Sequence, residues 1–210
     1  MNRFIKILFF ALVIKPMTLG MLGLNIRNRQ ALPESGPSII AANHNSHLDT
    51  IVLMSMYPLS QIHKVRPVAA ADYFLKNKFL KWFSLNIIGI IPLERKARMS
   101  KDILFAGCKE ALLNKDILIL YPEGSRGKPG KMAELKKGIF HIAQLVPKTH
   151  VTPVLMHGLD KALPKGEALF VPFNCDLIVG EKVSLKISSQ DFVNDLKSEF
   201  ENLSQFCLTH

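Results

Sequence analysis

Short apolar runs and amphipathic segments alternate along most of this 210-residue chain. Apolar runs bounded by polar residues or proline are typical of buried strands, and apolar residues recurring every three or four positions are typical of helices packed on a sheet. The alternation predicts a single α/β domain, in keeping with the length of the chain. Strands are predicted at residues 38–42, 65–70, 87–93, 117–121, 151–156, 168–171, 177–179 and 183–187, and helices at residues 47–57, 100–114, 133–146 and 190–207.

The N-terminal segment is the most hydrophobic part of the chain, but Lys6, Lys15 and Pro16 interrupt it. A helix over the uninterrupted apolar run 7–14 would be roughly 12 Å long, whereas the hydrocarbon core of a bilayer is about 30 Å thick. The segment therefore cannot span a membrane alone. It fits a helix in the membrane interface, a buried core helix, or a signal peptide without an A-x-A-like cleavage site, and we favour the interfacial helix.

Charge and cysteine content narrow the classes of function. Lysine and arginine number 27 against 17 acidic residues, and the net charge of +10 favours anionic partners such as phosphate or acidic lipid. The basic residues are not interleaved with aromatic ones, which argues against nucleic-acid binding. The cysteines, Cys108, Cys175 and Cys207, lie far apart, so that neither a disulfide framework nor a cysteine-rich zinc site is indicated, and a reducing environment fits best.

Residues 43–49, NHNSHLD, gather polar side chains between two apolar runs. One interpretation is a capping box, in which Ser46 and Asp49 begin a helix. A second is a metal site of His44, His47 and Asp49, although the histidine spacing is one residue longer than in H-x-H-x-D sites and no later cluster completes the ligand set. A third is an acid/base pair, in which Asp49 reaches back to His44 and leaves the other ring nitrogen able to accept a proton. The first and third are compatible, because a carboxylate has two oxygens.

Three further stretches place functional groups on predicted strands or directly after them. In residues 87–96, IIGIIPLERK, a strand delivers Arg95 at its carboxyl end, where ligands bind in α/β sheets. In residues 121–127, YPEGSRG, glycines let backbone N–H groups approach an anion beside Arg126, without the spacing of a nucleotide-binding P-loop. Residues 151–158, VTPVLMHG, form a strand that contains Pro153. Taken singly, each stretch also fits an ordinary charged loop or edge strand.

Together and in this order, the four stretches resemble the sequence blocks of the glycerolipid acyltransferase family, the PlsC-type enzymes similar to 1-acyl-sn-glycerol-3-phosphate acyltransferases. NHNSHLD is similar to the N-H-x-S-x-x-D block, which carries the HX4D motif, and YPEGSRG is similar to F-P-E-G-T-R-S. GIIPLER resembles the block that ends in arginine, and VTPVLMHG the block that contains proline. The first and third blocks are the specific ones, and the resemblance extends from residue 24 to residue 181.

The resemblance implies an α/β domain over residues 24–210, with a mixed, mostly parallel sheet flanked by helices, after a membrane-docking helical segment over residues 1–23. It implies an O-acyltransferase of phospholipid biosynthesis, which moves a fatty acyl group from acyl-CoA or acyl carrier protein to the hydroxyl of a lysophospholipid. No metal or cofactor is implied beyond that acyl thioester co-substrate. Such an enzyme would bind an anionic membrane surface as a peripheral or monotopic protein on the cytoplasmic face.

By the same resemblance, His44 is the general base and Asp49 its partner, which leaves His47 as a bystander on the helix face. The positions that match substrate binding are Arg95, Glu123, Gly124, Ser125 and Arg126. One departure bears on the acceptor, since Ala70 and Ala71 stand where many members carry lysine. It weakens lysophosphatidic acid, 1-acyl-glycerol-3-phosphate, as the acceptor relative to another lysolipid.

Two rival classes of function stay open at this point. A metal-dependent hydrolase would use His44, His47 and Asp49 as ligands and would lose its activity to a chelator. A non-catalytic lipid-binding membrane protein would explain the basic charge and the apolar N-terminus. It has no need of a histidine and an aspartate at this spacing.

Overall fold

The computed structural model describes residues 3–74, 77–94, 100–127, 132–162 and 173–208. Within these ranges the strands are β1 (Gly23–Arg27), β2 (Ser38–Ala42), β3 (Val65–Ala70), β4 (Ile91–Leu93), β5 (Ile117–Leu120), β6 (His150–His157) and β7 (Asn174–Val179). They form one sheet in the order β1-β7-β6-β2-β5-β3-β4. Neighbouring strands are parallel except β6 and β7, which are antiparallel. The predicted α/β domain with a mixed, mostly parallel sheet is therefore confirmed.

Helices cover both faces of the sheet. They are α1 (Arg3–Phe9), α2 (Lys15–Met21), α3 (Asp49–Ser55), α4 (Ala71–Phe74), α5 (Lys78–Phe83), α6 (Lys101–Leu104), α7 (Ala106–Leu113), α8 (Gly138–Ala143), α9 (Leu159–Ala162) and α10 (Ser189–Ser204). A π-helical turn, Phe10–Ile14, joins α1 to α2, and a second one, Ser84–Ile88, follows α5. One core layer packs beneath the N-terminal helices and α3, and the other beneath α7, α8 and α10.

The centre of the sheet explains why β2 is apolar at every position but its first. Ile40 faces the layer beneath α3, while Ile39 faces the layer beneath α10, and both side chains are fully buried. Parallel strands covered on both faces are typically continuous apolar runs rather than alternating ones. The predicted bounds of β2 match the structure for this reason, and the predicted bounds of β3 match as well.

Several predicted elements differ from those observed. The predicted strand 87–93 is shortened to β4, because Ser84–Ile88 continue as a π-helical turn that Gly89 ends with a positive φ of 79°. The predicted helix 133–146 begins only at Gly138, since Ala133 and Lys136 donate backbone bonds to the loop after β5. Strand β1 lies at a half-buried sheet edge and was not predicted. The predicted strand 183–187 makes a single bridge at Val183, and 168–171 lies outside the described residues.

Two predicted helices also differ in their bounds. The helix predicted at 100–114 is divided into α6 and α7 at Phe105. The helix predicted at 190–207 is observed as Ser189–Ser204; its start lies one residue earlier, after a cap in which the Ser188 hydroxyl accepts N–H bonds from Gln190 and Asp191.

The N-terminal helical segment packs one face into the core and leaves an apolar face outside. Phe10 and Ile14 are buried, and the buried Lys6 ammonium donates hydrogen bonds to the backbone oxygens of Val65 (3.2 Å) and Ile88 (2.8 Å). The exposed apolar side chains of the segment are Phe4, Leu8, Leu12, Val13 and Leu19. Among the described helices, none has both the length and the apolar character that a membrane span requires. The segment thus combines the predicted core helix with a surface suited to the predicted interfacial one.

Candidate active site

The two polar turns that carry the motifs lie side by side. Strand β2 ends at Ala42 and leads into the turn 43–48 before α3, and β5 ends at Leu120 and leads into the loop 121–127. The two strands are parallel neighbours, with Ala41 beside Leu120. Both turns therefore leave the same carboxyl edge of the sheet, where ligands bind in α/β folds.

His44 and Asp49 form a hydrogen-bonded pair in the first turn. Nδ1 of His44 lies 2.8 Å from Oδ2 of Asp49, whose side chain is 1% exposed, against 21% for His44. With its proton on Nδ1, the imidazole donates to the carboxylate and carries a lone pair on Nε2. The arrangement has the geometry of a general base with an orienting carboxylate, which the spacing of the two residues predicts.

The same carboxylate oxygen shapes the start of α3. Oδ2 of Asp49 also accepts the backbone N–H groups of Asn45 (2.8 Å) and Ser46 (2.9 Å). The Ser46 hydroxyl accepts from the N–H of Leu48 (3.2 Å) rather than from that of Asp49. Half of the predicted capping box is therefore present, and the helix begins at Asp49 instead of residue 47. The helix cap and the bond to His44 therefore use the same oxygen of Asp49, Oδ2. The other oxygen, Oδ1, is buried without a partner among the described residues.

Glu123 holds the backbone of His44 from the neighbouring loop. Its Oε1 accepts the N–H of His44 (2.7 Å), and its Oε2 accepts the N–H of Ala133 (2.7 Å). On the other side, the N–H of Gly127 donates to the carbonyl oxygen of His44 (3.1 Å). Burial raises the pKa of Glu123, and the two backbone bonds oppose that rise. With 2% exposure and both oxygens engaged, the Glu123 side chain positions the His44 turn, whereas the resemblance implies that it binds substrate.

Tyr121 stacks on the imidazole of His44. The ring centroids are 4.0 Å apart and the planes are inclined by 19°. The phenolic oxygen lies 2.8 Å from Oγ1 of Thr50, one residue after Asp49. Burial raises the pKa of Tyr121 well above its usual value, so that the phenol stays neutral and packs against His44. The sequence carries no signal for this contact beyond the position of Tyr121 directly after a strand.

Arg126 and His47 are neighbours at the mouth of the site. Nη1 of Arg126 donates a hydrogen bond to Nε2 of His47. Burial and the charge of Arg126 lower the pKa of His47, which keeps its ring neutral and able to accept that bond. His47, which the resemblance leaves as a bystander, thus contacts a candidate substrate-binding residue.

The rest of the candidate substrate-binding set lies on the same loop or outside the described residues. Gly124 has a positive φ of 75°, and a Cβ there would come within 2.9 Å of Nζ of Lys136. Lys136 thus adds a cation that the family blocks do not mark. Ser125 is exposed beside it, and Arg95 lies outside the described residues.

The buried side-chain amide of Asn43, directly before His44, hydrogen-bonds to the backbone of β6. Asn43 donates to the carbonyl oxygen of Met156 (2.8 Å) and accepts from its N–H (2.7 Å). Asn43 is the first residue of the NHNSHLD motif, and neither its type nor its position indicates this role. These two bonds hold the start of the His44 turn against Met156 of β6.

His44, His47 and Asp49, all within the described residues, do not bring three ligand atoms close enough together to share an ion. Within the described ranges, the histidine, cysteine and carboxylate groups close enough to share an ion are His157, Asp176 and Cys207, whose ligand atoms lie within 4.8 Å of one another. Asp176 accepts hydrogen bonds from Asn25 (2.6 Å) and from the N–H of Leu208 (2.9 Å).

Comparison with known proteins gives a family match over most of the chain. The family model described as Acyltransferase matches residues 23–157. A chloroplast 1-acyl-sn-glycerol-3-phosphate acyltransferase of Arabidopsis thaliana is 29% identical over 144 residues, 68% of this chain and 38% of the relative. The human enzyme named 1-acyl-sn-glycerol-3-phosphate acyltransferase alpha is 24% identical over 155 residues, 73% of this chain and 52% of the relative. The chain thus spans 38% and 52% of the length of these two relatives.

A solved structure shares the fold. The crystal structure of PlsC, the 1-acyl-sn-glycerophosphate acyltransferase from Thermotoga maritima, matches with a TM-score of 0.75 at 18% identity. The match covers 96% of this chain and 80% of that one. At 18% identity the structural match shows a shared fold. The family match covers the part of the chain that contains the motifs.

Proposed function

The chain belongs to the acyltransferase family, and from this premise we propose that it is an O-acyltransferase acting on lysophospholipids. It moves a fatty acyl group from acyl-CoA or acyl carrier protein to the hydroxyl of 1-acyl-glycerol-3-phosphate or a related lysolipid. The observation that carries the proposal is the His44–Asp49 pair, held at the carboxyl edge of the sheet by Glu123 and Gly127. The names of the relatives support the substrate class.

His44 acts as the general base in this proposal. Its Nε2 removes the proton of the acceptor hydroxyl as that oxygen attacks the thioester carbonyl, and Asp49 stabilises the imidazolium that forms. When the tetrahedral intermediate collapses, the C–S bond breaks and the proton passes from His44 to the departing thiol. The new C–O bond is the ester of the product, so that no other co-reactant is needed.

Direct transfer is supported by the state of the cysteines. Burial raises the pKa of Cys108 and of Cys175 to about 12, so that neither thiol supplies a thiolate nucleophile at neutral pH. Burial also raises the pKa of Cys207. We therefore propose no acyl-enzyme intermediate.

Arg126 binds the acceptor phosphate, together with Arg95, Gly124 and Ser125. An arginine binds phosphate through two parallel N–H groups, a geometry that lysine does not reproduce. Lys136, whose ammonium lies over Gly124, adds charge on this side of the site. Arg126→Lys is expected to raise the KM for the lysophospholipid more than the KM for the thioester, and the reverse order would contradict the assignment.

The N-terminal segment 1–23 places the enzyme on an anionic membrane surface, as a peripheral or monotopic protein of the cytoplasmic face, with residues 24–210 as the acyltransferase domain. Its exposed apolar side chains and its basic residues support this location. Because Phe10 and Ile14 are core residues, truncation would damage the fold, and surface changes are the better test. Leu8→Ser with Leu12→Ser is expected to reduce sedimentation with anionic vesicles. Unchanged sedimentation would locate the anchor elsewhere.

Thiol release from acyl-CoA in the presence of a panel of lysophospholipids tests the function. The wild-type protein is expected to release thiol only with an acceptor present, and His44→Ala is expected to lower kcat by about 10² to 10⁴. Near-full activity of folded His44→Ala would end the proposal. Loss of activity to a chelator, with stoichiometric metal in the protein, would favour the rival hydrolase.

A further inference from the structure

A histidine, a carboxylate and a thiol converge at the end of β6, outside the candidate active site. The ligand atoms of His157, Asp176 and Cys207 all lie within 4.8 Å of one another. His157 is the last residue of β6, Asp176 lies on β7, and Cys207 follows α10. The three side chains come from separate parts of the chain, so that the fold rather than the local sequence brings them together.

The sheet places two of these side chains next to each other. His157 and Asp176 are opposite partners in the antiparallel pair of β6 and β7, so that their side chains lie on the same face of the sheet. Leu155 and Ile178, each two residues away along its strand, belong to the core layer beneath α10, which identifies this face as the α10 side. Cys207 reaches the pair from that side, since it follows α10 by three residues.

The carboxylate of Asp176 is oriented by hydrogen bonds, as metal-ligating carboxylates commonly are. Asp176 is 1% exposed, its Oδ1 accepts from the side-chain amide of Asn25 (2.6 Å), and its Oδ2 accepts from the N–H of Leu208 (2.9 Å). Both of these donors are neutral, and each carboxylate oxygen has a second lone pair for a metal. Because buried carboxylates are usually paired with a cation or coordinate a metal, this environment suits a metal ligand. The bond to Leu208 also holds the backbone next to Cys207.

The chemistry of the three groups favours zinc. Zn²⁺ binds imidazole nitrogen, carboxylate oxygen and thiolate sulfur at about 2.0 to 2.3 Å, whereas Mg²⁺ and Ca²⁺ take oxygen ligands. Tetrahedral bonds of that length place the ligand atoms about 3.3 to 3.8 Å apart, so that shifts of about 1 Å close the site. His157 and Cys207 both line an open cleft of about 1090 Å³, which gives the ion a path of entry.

We propose that His157, Asp176 and Cys207 bind one Zn²⁺ ion, with water in the fourth position, which faces the cleft. Zinc sites with three protein ligands keep an open position of this kind. The Cys207 sulfur binds as the thiolate, and its proton passes to solvent. The ion joins β6, β7 and the segment after α10. Because the site is separate from the His44–Asp49 pair, the proposal is independent of the proposed function.

Cobalt titration tests the site directly, because Co²⁺ substitutes for zinc and shows a charge-transfer absorption band when a thiolate binds it. The reduced protein, freed of metal with a chelator, is expected to bind one Co²⁺ ion per chain with this band, and Zn²⁺ should displace it. In Cys207→Ser the band should be absent. In His157→Gln the affinity should fall more than about tenfold, since changes to outer-shell partners alone commonly cost that much.

His150→Gln is the matched control for the titration. His150 is an exposed histidine at the start of β6, the strand that His157 ends, so that the variant should bind Co²⁺ as the wild type does. No charge-transfer band in the wild type, or a band that persists in Cys207→Ser, would overturn the proposal.

Thermal unfolding gives a second measurement and shows whether each variant folds. At 100 times its dissociation constant, Zn²⁺ is expected to raise the Tm of the wild type and of His150→Gln by about 5 to 10 °C. Cys207→Ser should unfold cooperatively near the Tm of the metal-free wild type and show no such rise. An equal rise in Cys207→Ser would mean adventitious zinc only and would overturn the site.

Metal analysis separates this site from that of the rival hydrolase. Zinc that is retained by His44→Ala and lost in Cys207→Ser would support the site at the end of β6. Zinc that is lost in His44→Ala and retained by Cys207→Ser would place the ion in the candidate active site and overturn the proposal.

Discussion

The chain segments that follow β2 and β5 each contain a buried carboxylate, but the two carboxylates have different roles. Asp49 and Glu123 are 1% and 2% exposed, and each accepts two backbone N–H groups. Asp49 does so with one oxygen, which also holds His44, and its other oxygen has no described partner. Glu123 uses both oxygens, one for His44 and one for Ala133. Asp49 organises its own turn and the base, whereas Glu123 joins separate segments of the chain.

This difference means that a neutral amide should be tolerated at one position and not at the other. In Asp49→Asn the amide oxygen can occupy the place of Oδ2 and keep its hydrogen bonds, while the NH2 group occupies the unpartnered place. In Glu123→Gln one oxygen becomes an NH2 group that faces a backbone N–H. Charge and hydrogen bonding can therefore be separated by two isosteric substitutions.

Asp49→Asn is expected to give the largest loss of activity, because the amide cannot stabilise the imidazolium that forms on His44. We expect kcat to fall by about 10² to 10⁴, measured by thiol release, while the free energy of unfolding changes by less than about 1 kcal/mol in urea denaturation. Asp191→Asn, at an exposed position in α10, is the control for a lost surface carboxylate. Nearly wild-type kcat with an intact fold would show that the charge of Asp49 has no part in catalysis.

Glu123→Gln is expected to show the opposite pattern. The lost bond and the facing donors should lower the free energy of unfolding by about 1 to 3 kcal/mol, while kcat falls less than in Asp49→Asn because the histidine pair itself remains. Glu110→Gln, on the exposed side of α7, controls for loss of a glutamate charge. Unchanged stability together with a raised KM for the lysophospholipid would instead favour the substrate-binding role that the resemblance implies.

The pH dependence of stability gives a second measure of Glu123. Since burial raises the pKa of Glu123 above its usual value of 4.5, the native state holds more protons than the unfolded state just above pH 4.5. The free energy of unfolding of the wild type, relative to Glu123→Gln, should therefore fall as the pH rises from 4.5, by no more than about 1.4 kcal/mol per pH unit. Urea denaturation between about pH 4 and pH 7 measures it. A difference that rises with pH would mean that the backbone bonds outweigh burial.

The local parts of this site could be predicted from the sequence, and the distant contacts could not. The His44–Asp49 pair follows from a five-residue offset at the start of a helix, and β2 from an apolar run. The bond between Glu123 and the N–H of His44 joins residues 79 positions apart, and neither residue type nor spacing marks it. Helical periodicity over 133–146 was likewise overridden, because the N–H of Ala133 bonds to Glu123 before the helix begins.

The contacts of His47 and Tyr121 could not be predicted for the same reason: each joins residues that are distant in the sequence. His47 lies on the outer side of a helix start, where a histidine without a partner would have no task, and its contact with Arg126 depends on the loop after β5. Tyr121 stands where the family block has phenylalanine, and its additional hydroxyl lies within hydrogen-bond distance of Thr50. Both contacts arise from the packing of neighbouring strand ends, which sequence order does not show.

His47 offers a smaller test of how the two turns cooperate. His47→Ala removes the acceptor of the Arg126 hydrogen bond, so that Arg126 is less well oriented and the KM for the lysophospholipid should rise about three- to tenfold, while kcat changes little. His47→Gln keeps a carbonyl acceptor and should stay close to the wild type. Equal effects of the two variants, or a rise confined to the KM for the thioester, would show that His47 does not act through Arg126.

The smallest effect is expected for Tyr121→Phe, which separates the ring of Tyr121 from its hydroxyl. Phenylalanine keeps the ring stacked on His44 and loses the bond to Thr50, so that kcat should fall less than about threefold and the free energy of unfolding by about 1 kcal/mol. Tyr121→Ala removes the stacked ring as well and should cost about 3 to 5 kcal/mol, as for other large aromatic truncations. If Tyr121→Phe lowered kcat as much as Asp49→Asn, the hydroxyl between the turns would belong to the chemistry rather than to its support.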